Sequence, residues 1–260
     1  ERNKMNKEKK FFKEPLTDTQ LLMTIAIGIF FVMYLLAMAI LRGGFLHPQQ
    51  IFDMLNDNAS LIIVSCGLTI VMIGGGIDIS VGAVTSLVVM SCVLYLNKGG
   101  NIFLSILLAL GIGLAFGLVH GYLISYLEIQ PFIVTLAGMF FARGLTTILS
   151  VNPQKVDHEA FAALRGVKIE IPWLGYYAKN GNLIPGTVEL GVVIALVCLL
   201  TVFVLLTWLK PGRNFYAMGG NQQSALMLGI NVKRTSFLSY VICGLLSGIS
   251  GYVFMMHTGA

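Results

Sequence analysis

Few side chains in this sequence could do chemistry in an apolar setting. Asp78 stands in the run Gly74-Gly75-Gly76-Ile77-Asp78-Ile79-Ser80-Val81-Gly82, between two apolar stretches that each cross or nearly cross a bilayer. A lone carboxylate in hydrocarbon costs about 2.5–3.5 kcal/mol, and three glycines leave helical backbone loosely held, so this segment is expected to border a lined cavity. Directly before the stretch Ile79 to Leu96, Asp78 occupies the natural N-cap position at the positive end of a helix dipole, with Ser80 as a second acceptor. The alternative is that its carboxylate accepts hydrogen bonds from substrate hydroxyls. Arg143, 12 residues into the stretch Phe132 to Ser150, either snorkels to headgroups or faces the bundle beside the flat rings of Phe140 and Phe141, the kind of surface on which sugars stack. His120 lies between Gly117 and Gly121. No second titratable group shares its span, which favours a histidine bonded to a neighbouring helix over a proton relay.

The elements around these residues follow from composition. Of 260 residues, 56% are apolar and 11% charged, with a mean hydropathy of +0.82, and the charges are clustered, which describes a multi-pass membrane protein. Seven stretches qualify as spans: Leu21 to Leu41, Ala59 to Ile77, Ile79 to Leu96, Ile102 to Leu127, Phe132 to Ser150, Leu190 to Leu209 and Thr235 to Met256. The second and third are short and meet at the glycine run, as discontinuous helices around a transport site do. The expected fold is therefore an all-α polytopic bundle with discontinuous helices. Its first run, 21 uncharged residues long, exceeds a secretory h-region, so a retained span is expected despite the small-x-small sequence Ala37-Met38-Ala39.

The net charge of +5 does not point to nucleic acid. Six basic residues, Arg2, Lys4, Lys7, Lys9, Lys10 and Lys13, precede the first apolar run and read as a cytoplasmic flank covering residues 1–20. Lys210, Arg213, Lys233 and Arg234, with no acidic residue among them, place the segment 210–234 on the same side. The long loop from Val151 to Glu189 carries four basic and four acidic residues and adds no orientation signal. It contains an amphipathic stretch, His158 to Val167, that suits either a lid over the helices or a docking surface for an extracytoplasmic partner.

Glycines at Gly113, Gly117 and Gly121, and again at Gly244, Gly248 and Gly251, have the spacing of close helix packing. The four cysteines lie inside apolar stretches without metal-ligand spacing, so neither disulfide nor metal is expected. No G-x-x-x-x-G-K-[ST] loop is present to bind nucleotide. Gly248-Ile249-Ser250 with His257 lacks the full serine elbow, which disfavours an intramembrane hydrolase, and a single carboxylate at depth disfavours an ion-coupled secondary transporter. The polar segment from Gly212 to Ile230 predicts a short helix starting at Asn221, with Ala225, Leu228 and Gly229 on one face that fits a groove on a cytoplasmic partner.

Three motifs in order resemble the permease subunit of ribose-type sugar ABC importers: Gly75 to Gly82, Gln130 to Gly144, and Tyr216-Ala217-Met218-Gly219-Gly220-Asn221 with Leu228-Gly229-Ile230. Asn56-Asp57-Asn58-Ala59 looks closest to the galactofuranose-type members. The resemblance runs from about Leu21 to the end of the chain. It implies one half of a permease pair in a bacterial cell membrane, homodimeric or formed with a related subunit. The pair is fed by an extracytoplasmic sugar-binding protein and coupled to cytoplasmic subunits that bind the ATP and Mg, so the chain itself needs no cofactor. It further implies a substrate pathway including Asp78, Ser80, Asn58, Phe140, Phe141 and Arg143, and an ATPase-coupling helix at Gly219, Gly220, Asn221, Ala225 and Gly229. Such permeases have about ten spans, so this chain is expected to lack the last of them.

Overall fold

Apolar runs fold as helices because a hydrocarbon surrounding offers backbone groups no other partner. The computed structural model describes residues 17–40, 48–177 and 183–259. Most of the basic flank expected over residues 1–20 falls outside the described residues.

The elements are α1 (Asp18–Ile40), α2 (Pro48–Ile73), α3 (Val81–Asn97), α4 (Ile102–Ser125), α5 (Pro131–Leu149), α6 (Glu159–Arg165), β1 (Lys168–Tyr177), β2 (Leu183–Glu189), α7 (Leu190–Thr207), α8 (Lys210–Gly220), α9 (Gln222–Met227) and α10 (Val232–Thr258). Six of these helices, α1, α2, α4, α5, α7 and α10, are long and apolar enough to cross a membrane, and α3 is a shorter apolar helix of 17 residues. The all-α polytopic bundle holds. Helix α2 departs from its predicted bounds, beginning at Pro48 rather than Ala59 and stopping at Ile73 rather than Ile77.

Caps set several ends. The Asn101 side chain accepts from Phe103 N at 2.8 Å to start α4, and Asn231 accepts from Arg234 N at 2.9 Å to start α10. Helix α10 stops at Gly259, whose φ of +73° suits a residue without a Cβ.

One element was not foreseen. Within the long loop, β1 and β2 form an antiparallel hairpin that pairs Lys168 with Glu189 and Ile171 with Gly186, with an irregularity between Ile171 and Tyr176. Bonds tie it to α2: Asn56 donates to Thr187 O at 3.2 Å and accepts from Glu189 N at 2.9 Å. The amphipathic stretch forms α6, capped by His158, and buries Phe161 against Tyr252 of α10. The hairpin and α6 thus close one end of the bundle. The other end carries the segments 74–80, 126–130 and 208–231.

Helix α10 is central. Its apolar window is 61% buried, against 44% for α2 and 17–22% for α4, α5 and α7. One core joins α3, α4 and α10 through Val88, Ala109 and Met255; another joins α2, α7 and α10 through Ile63, Val202 and Val253. The two glycine stripes meet each other. A Cβ at Gly113 would collide with the Gly244 carbonyl, one at Gly244 with Gly113 O and with the Gly117 backbone, and one at Gly251 would come within 2.8 Å of Val88. These glycines are packing surfaces, bringing α4 and α10 backbone to backbone.

Gly244→Val should therefore abolish recovery of a monodisperse protein in detergent on size exclusion, whereas Gly82→Ala, at a site with nothing within 4 Å, should leave the elution profile and unfolding midpoint unchanged.

Candidate functional site

The glycine run ends a helix instead of loosening one. Gly76 N donates to Val71 O at 2.9 Å and Gly75 N to Met72 O at 3.0 Å, while Gly75 has φ +82°. This is the paired C-terminal capping pattern in which a left-handed residue satisfies the last carbonyls. It terminates α2 and releases seven residues, 74–80, into non-helical backbone before α3.

Asp78 is not the N-cap of α3. Ser80 holds that position, so the expected assignment shifts by two residues. The Asp78 Oδ1 atom instead accepts from Ser80 N at 2.9 Å and from Ser80 Oγ at 2.6 Å, folding the turn onto its own carboxylate. Ser80 is therefore a donor to Asp78. The hydroxyl also lies 3.4 Å from His120 Nδ1 on α4, and the Tyr240 hydroxyl on α10 donates to Ile77 O at 3.4 Å. Asp78, Ser80, His120 and Tyr240 are all buried, so the turn is pinned to two neighbouring helices. The histidine meets another helix, as the sequence favours, yet a carboxylate from outside its own span stands one hydroxyl away.

Sequence motifs far apart meet at this turn. A Cβ at Gly219 would strike the Ile73 carbonyl, and one at Gly74 would come within 2.7 Å of Met218 Cε, so α8 rests directly on the end of α2. Between them lies a polar cavity of about 450 Å³. Gly74, Gly75, Gly76 and Tyr240 form one wall; Met218, Gln222 and Leu226 form another; Glu128, Gln130 and Lys233 lie at its edge. Asp78 is not among its lining residues.

Asn221 starts α9, its side chain accepting from Ser224 N at 2.8 Å. Ala225 is buried, and Gly229, at φ +76°, closes the helix through Ile230 N to Ala225 O at 3.1 Å. Leu228 and Gly229 consequently do not share the Ala225 face, because α9 ends at Met227. Leu226, Met227 and Leu228 are instead exposed, Met227 at 89%.

The remaining pathway candidates lie elsewhere. Phe140, Phe141 and Arg143 are exposed on α5, and only Phe141 approaches the buried network, lining an apolar groove of about 470 Å³ that has His120 in its wall. Asn58 sits in α2, 15 residues before its end, and donates to Met54 O at 2.8 Å within its own helix. Gly138 was missed by sequence reasoning: a Cβ there would collide with His120 Nε2, so a small residue on α5 sets where the imidazole lies. Ser250 Oγ donates to Ser60 O at 2.8 Å, while His257 contacts Asp57 and Glu189, so no serine–histidine pair forms.

At the cavity edge Lys233 Nζ lies 2.7 Å from Glu128 Oε1. The hydrogen bond and charge of Lys233 hold the Glu128 carboxyl below its ordinary range. A depressed carboxyl pKa contributes stability above the unfolded value and loses it as pH falls through the folded value.

The family described as "Branched-chain amino acid transport system / permease component" matches residues 50–260. The chain is 33% identical over 262 aligned positions to the fructose import permease protein FruG of Bifidobacterium longum (strain NCC 2705), covering 99% of this chain and 74% of that relative. It is 35% identical over 240 to the inner membrane ABC transporter permease protein YjfF of Escherichia coli (strain K12), covering 91% and 68%. With the ribose import permease protein RbsC of Bacillus subtilis (strain 168) it shares 32% over 227, covering 87% and 66%. No solved structure gives a significant match.

Asp78→Ala should lower the unfolding midpoint in detergent clearly, since each hydrogen bond to a charged group contributes about 1.5–3 kcal/mol. Asp78→Asn, which keeps an acceptor, should lose less than half as much. For the edge pair, the small midpoint difference between the native chain and Lys233→Gln should be fully present above about pH 4.3 and fade as the pH falls further, through the lowered folded value, and added salt should shrink it.

Proposed function

The chain belongs to the branched-chain amino acid transport system / permease component family, and from that premise we propose that it is one half of a permease pair moving a monosaccharide across a bacterial membrane. It is a multi-pass transport subunit of the sugar ABC-importer kind, and catalyses no reaction. The proposed cargo is a ribose- or galactofuranose-like sugar, with fructose as a further candidate because FruG is named for it. An extracytoplasmic binding protein delivers the sugar. Two cytoplasmic subunits bind ATP and Mg and supply the energy.

The observation that carries this reading is the junction of α8, α9 and the glycine turn. Helix α9 offers an exposed apolar edge, Leu226 to Leu228, suited to a groove on a cytoplasmic ATPase. Its neighbour α8 bears on the end of α2 through Gly219, beside the polar cavity. Nucleotide-driven movement of the partner would thus reach the cavity through one rigid contact. This orientation puts the amino end and the segment 208–231 in the cytoplasm, and the hairpin with α6 outside, facing the binding protein.

The residues that line a path need only weak affinity, because a tight site would not release its cargo. The cavity fits that requirement: hydroxyl and amide groups stand beside the Tyr240 ring, and its two charged lining residues, Glu128 and Lys233, are paired with each other. Asp78 and Ser80 act on this reading by holding the cavity wall. Phe140 and Arg143, exposed on α5, are left for contact with lipid or with the second permease.

Met227→Asp should abolish co-purification of the ATPase subunit and ATP-driven uptake of labelled ribose or fructose, with elution and unfolding unchanged because Met227 lies outside the packed core. Gly219→Leu should block uptake as well. Uptake that follows labelled leucine instead of sugars, or that survives Met227→Asp, would overturn the proposal.

A further inference from the structure

A second cavity at the same end of the bundle, of about 520 Å³, lies between the start of α8 and the start of α10. Lys210 and Arg234 stand in its wall with the amides of Asn214 and Asn231, and no carboxylate lines it. Both cations are exposed. Among the described residues neither meets a carboxylate within ion-pair distance, whereas Lys233 is paired with Glu128 and Lys168 with Glu189. Two unpaired cations lining one cavity raise its potential, which an anion held there would lower. The positive ends of α8 and α10 add to the same field.

Depth identifies the anion. The cavity sits where the membrane-length helices α7 and α10 end, and Trp208, two residues before Lys210, is 68% exposed. An exposed Trp at the end of a membrane helix marks the headgroup layer, its ring in the apolar boundary and its N–H in the polar one. Arg213 adds a third cation there, its guanidinium donating to Trp208 O at 3.4 Å. Away from the cations the wall is apolar, with the buried Phe215, the partly exposed Leu238, and Leu228 and Ile230 from just past the end of α9. A cationic mouth above an apolar wall matches a phosphate ester carrying acyl chains.

We propose that this cavity binds the headgroup of an anionic phospholipid, the phosphate shared between Lys210 and Arg234 and the chains running along Leu238. The lipid completes the charge balance between α8 and α10. It thereby steadies the element that carries α9, independently of which cargo the protein moves.

Trp208 reports the site directly. Trp173→Phe leaves it as the sole tryptophan of the two in the chain. The protein is placed in mixed phosphatidylglycerol and phosphatidylcholine vesicles in which either one or the other lipid is brominated, at equal bromine content. Quenching should report a preference for phosphatidylglycerol on the order of tenfold, falling to about one in Lys210→Gln/Arg234→Gln. Equal quenching by the two lipids, or a preference that survives the double substitution, overturns the proposal. Inorganic phosphate should lower the preference no more than chloride does at equal ionic strength. A larger effect of phosphate would assign the cavity to soluble phosphates and overturn the lipid assignment.

Discussion

Backbone touching backbone along α10 is the constraint from which the rest of the arrangement follows. Between helices in a membrane there is no hydrophobic drive, so close van der Waals fit must hold them together. Gly244 and Gly248 let α10 sit directly on α4 at Gly113 and Ala109, and Gly251 admits α3 through Val88. That contact fixes depth as well as distance. With α4 locked against α10, His120 on one helix and Tyr240 on the other stand level with the 74–80 segment, where they meet Ser80 and Ile77 O.

The buried carboxylate is then energetically ordinary. Placing a charged side chain at membrane depth costs about 2.5–3.5 kcal/mol on insertion scales. Two hydrogen bonds to a charged acceptor, from Ser80 N and Ser80 Oγ, contribute about 1.5–3 kcal/mol each and offset it. Asp78 therefore needs neither lipid-facing water nor bound sugar to explain its burial. Its two bonds to Ser80 shape a seven-residue stretch of irregular backbone whose glycine end lines the polar cavity.

Much of this was legible in the sequence, and the failures have definite causes. The spans, the packing role of the glycine stripes and the start of α9 at Asn221 follow from hydropathy, small-residue spacing and cap chemistry, all of which are local. Asp78 was misplaced by two residues because either Asp78 or Ser80 makes a sound N-cap on paper; in the structure Ser80 stands at the N-cap position without a side-chain cap bond, its hydroxyl given to Asp78. The hairpin was missed although Val167 to Ile171 alternates apolar and polar residues as a strand does; its second strand is broken by Pro185 and Gly186 and is pinned by distant partners, Gln49 and Asn56 of α2. Phe140 and Arg143 stand on the exposed face of α5, while Phe141 shares a groove with His120; motif order says nothing about which face of α5 turns inward.

The cavity between α8 and the glycine turn has two walls of different build. One wall is anchored three ways: the capped end of α2, Ser80 against α4, and Ile77 against α10. Its other wall, Met218, Gln222 and Leu226, belongs to the short helices α8, which buries Phe215 and Met218, and α9, which buries only Ala225. Gly219 permits no gap between the two walls at their hinge, since its backbone already touches Ile73 O. A load applied at Met227 must therefore either tilt α8 about that contact or drag the end of α2 with it. Tilting breaks no buried hydrogen bond of the turn, whereas dragging α2 would break the Asp78–Ser80 and Tyr240 contacts. On the coupling proposed above, the cheaper motion is thus the one that widens or narrows the cavity, and a rigid turn is what lets the joint beside it transmit movement.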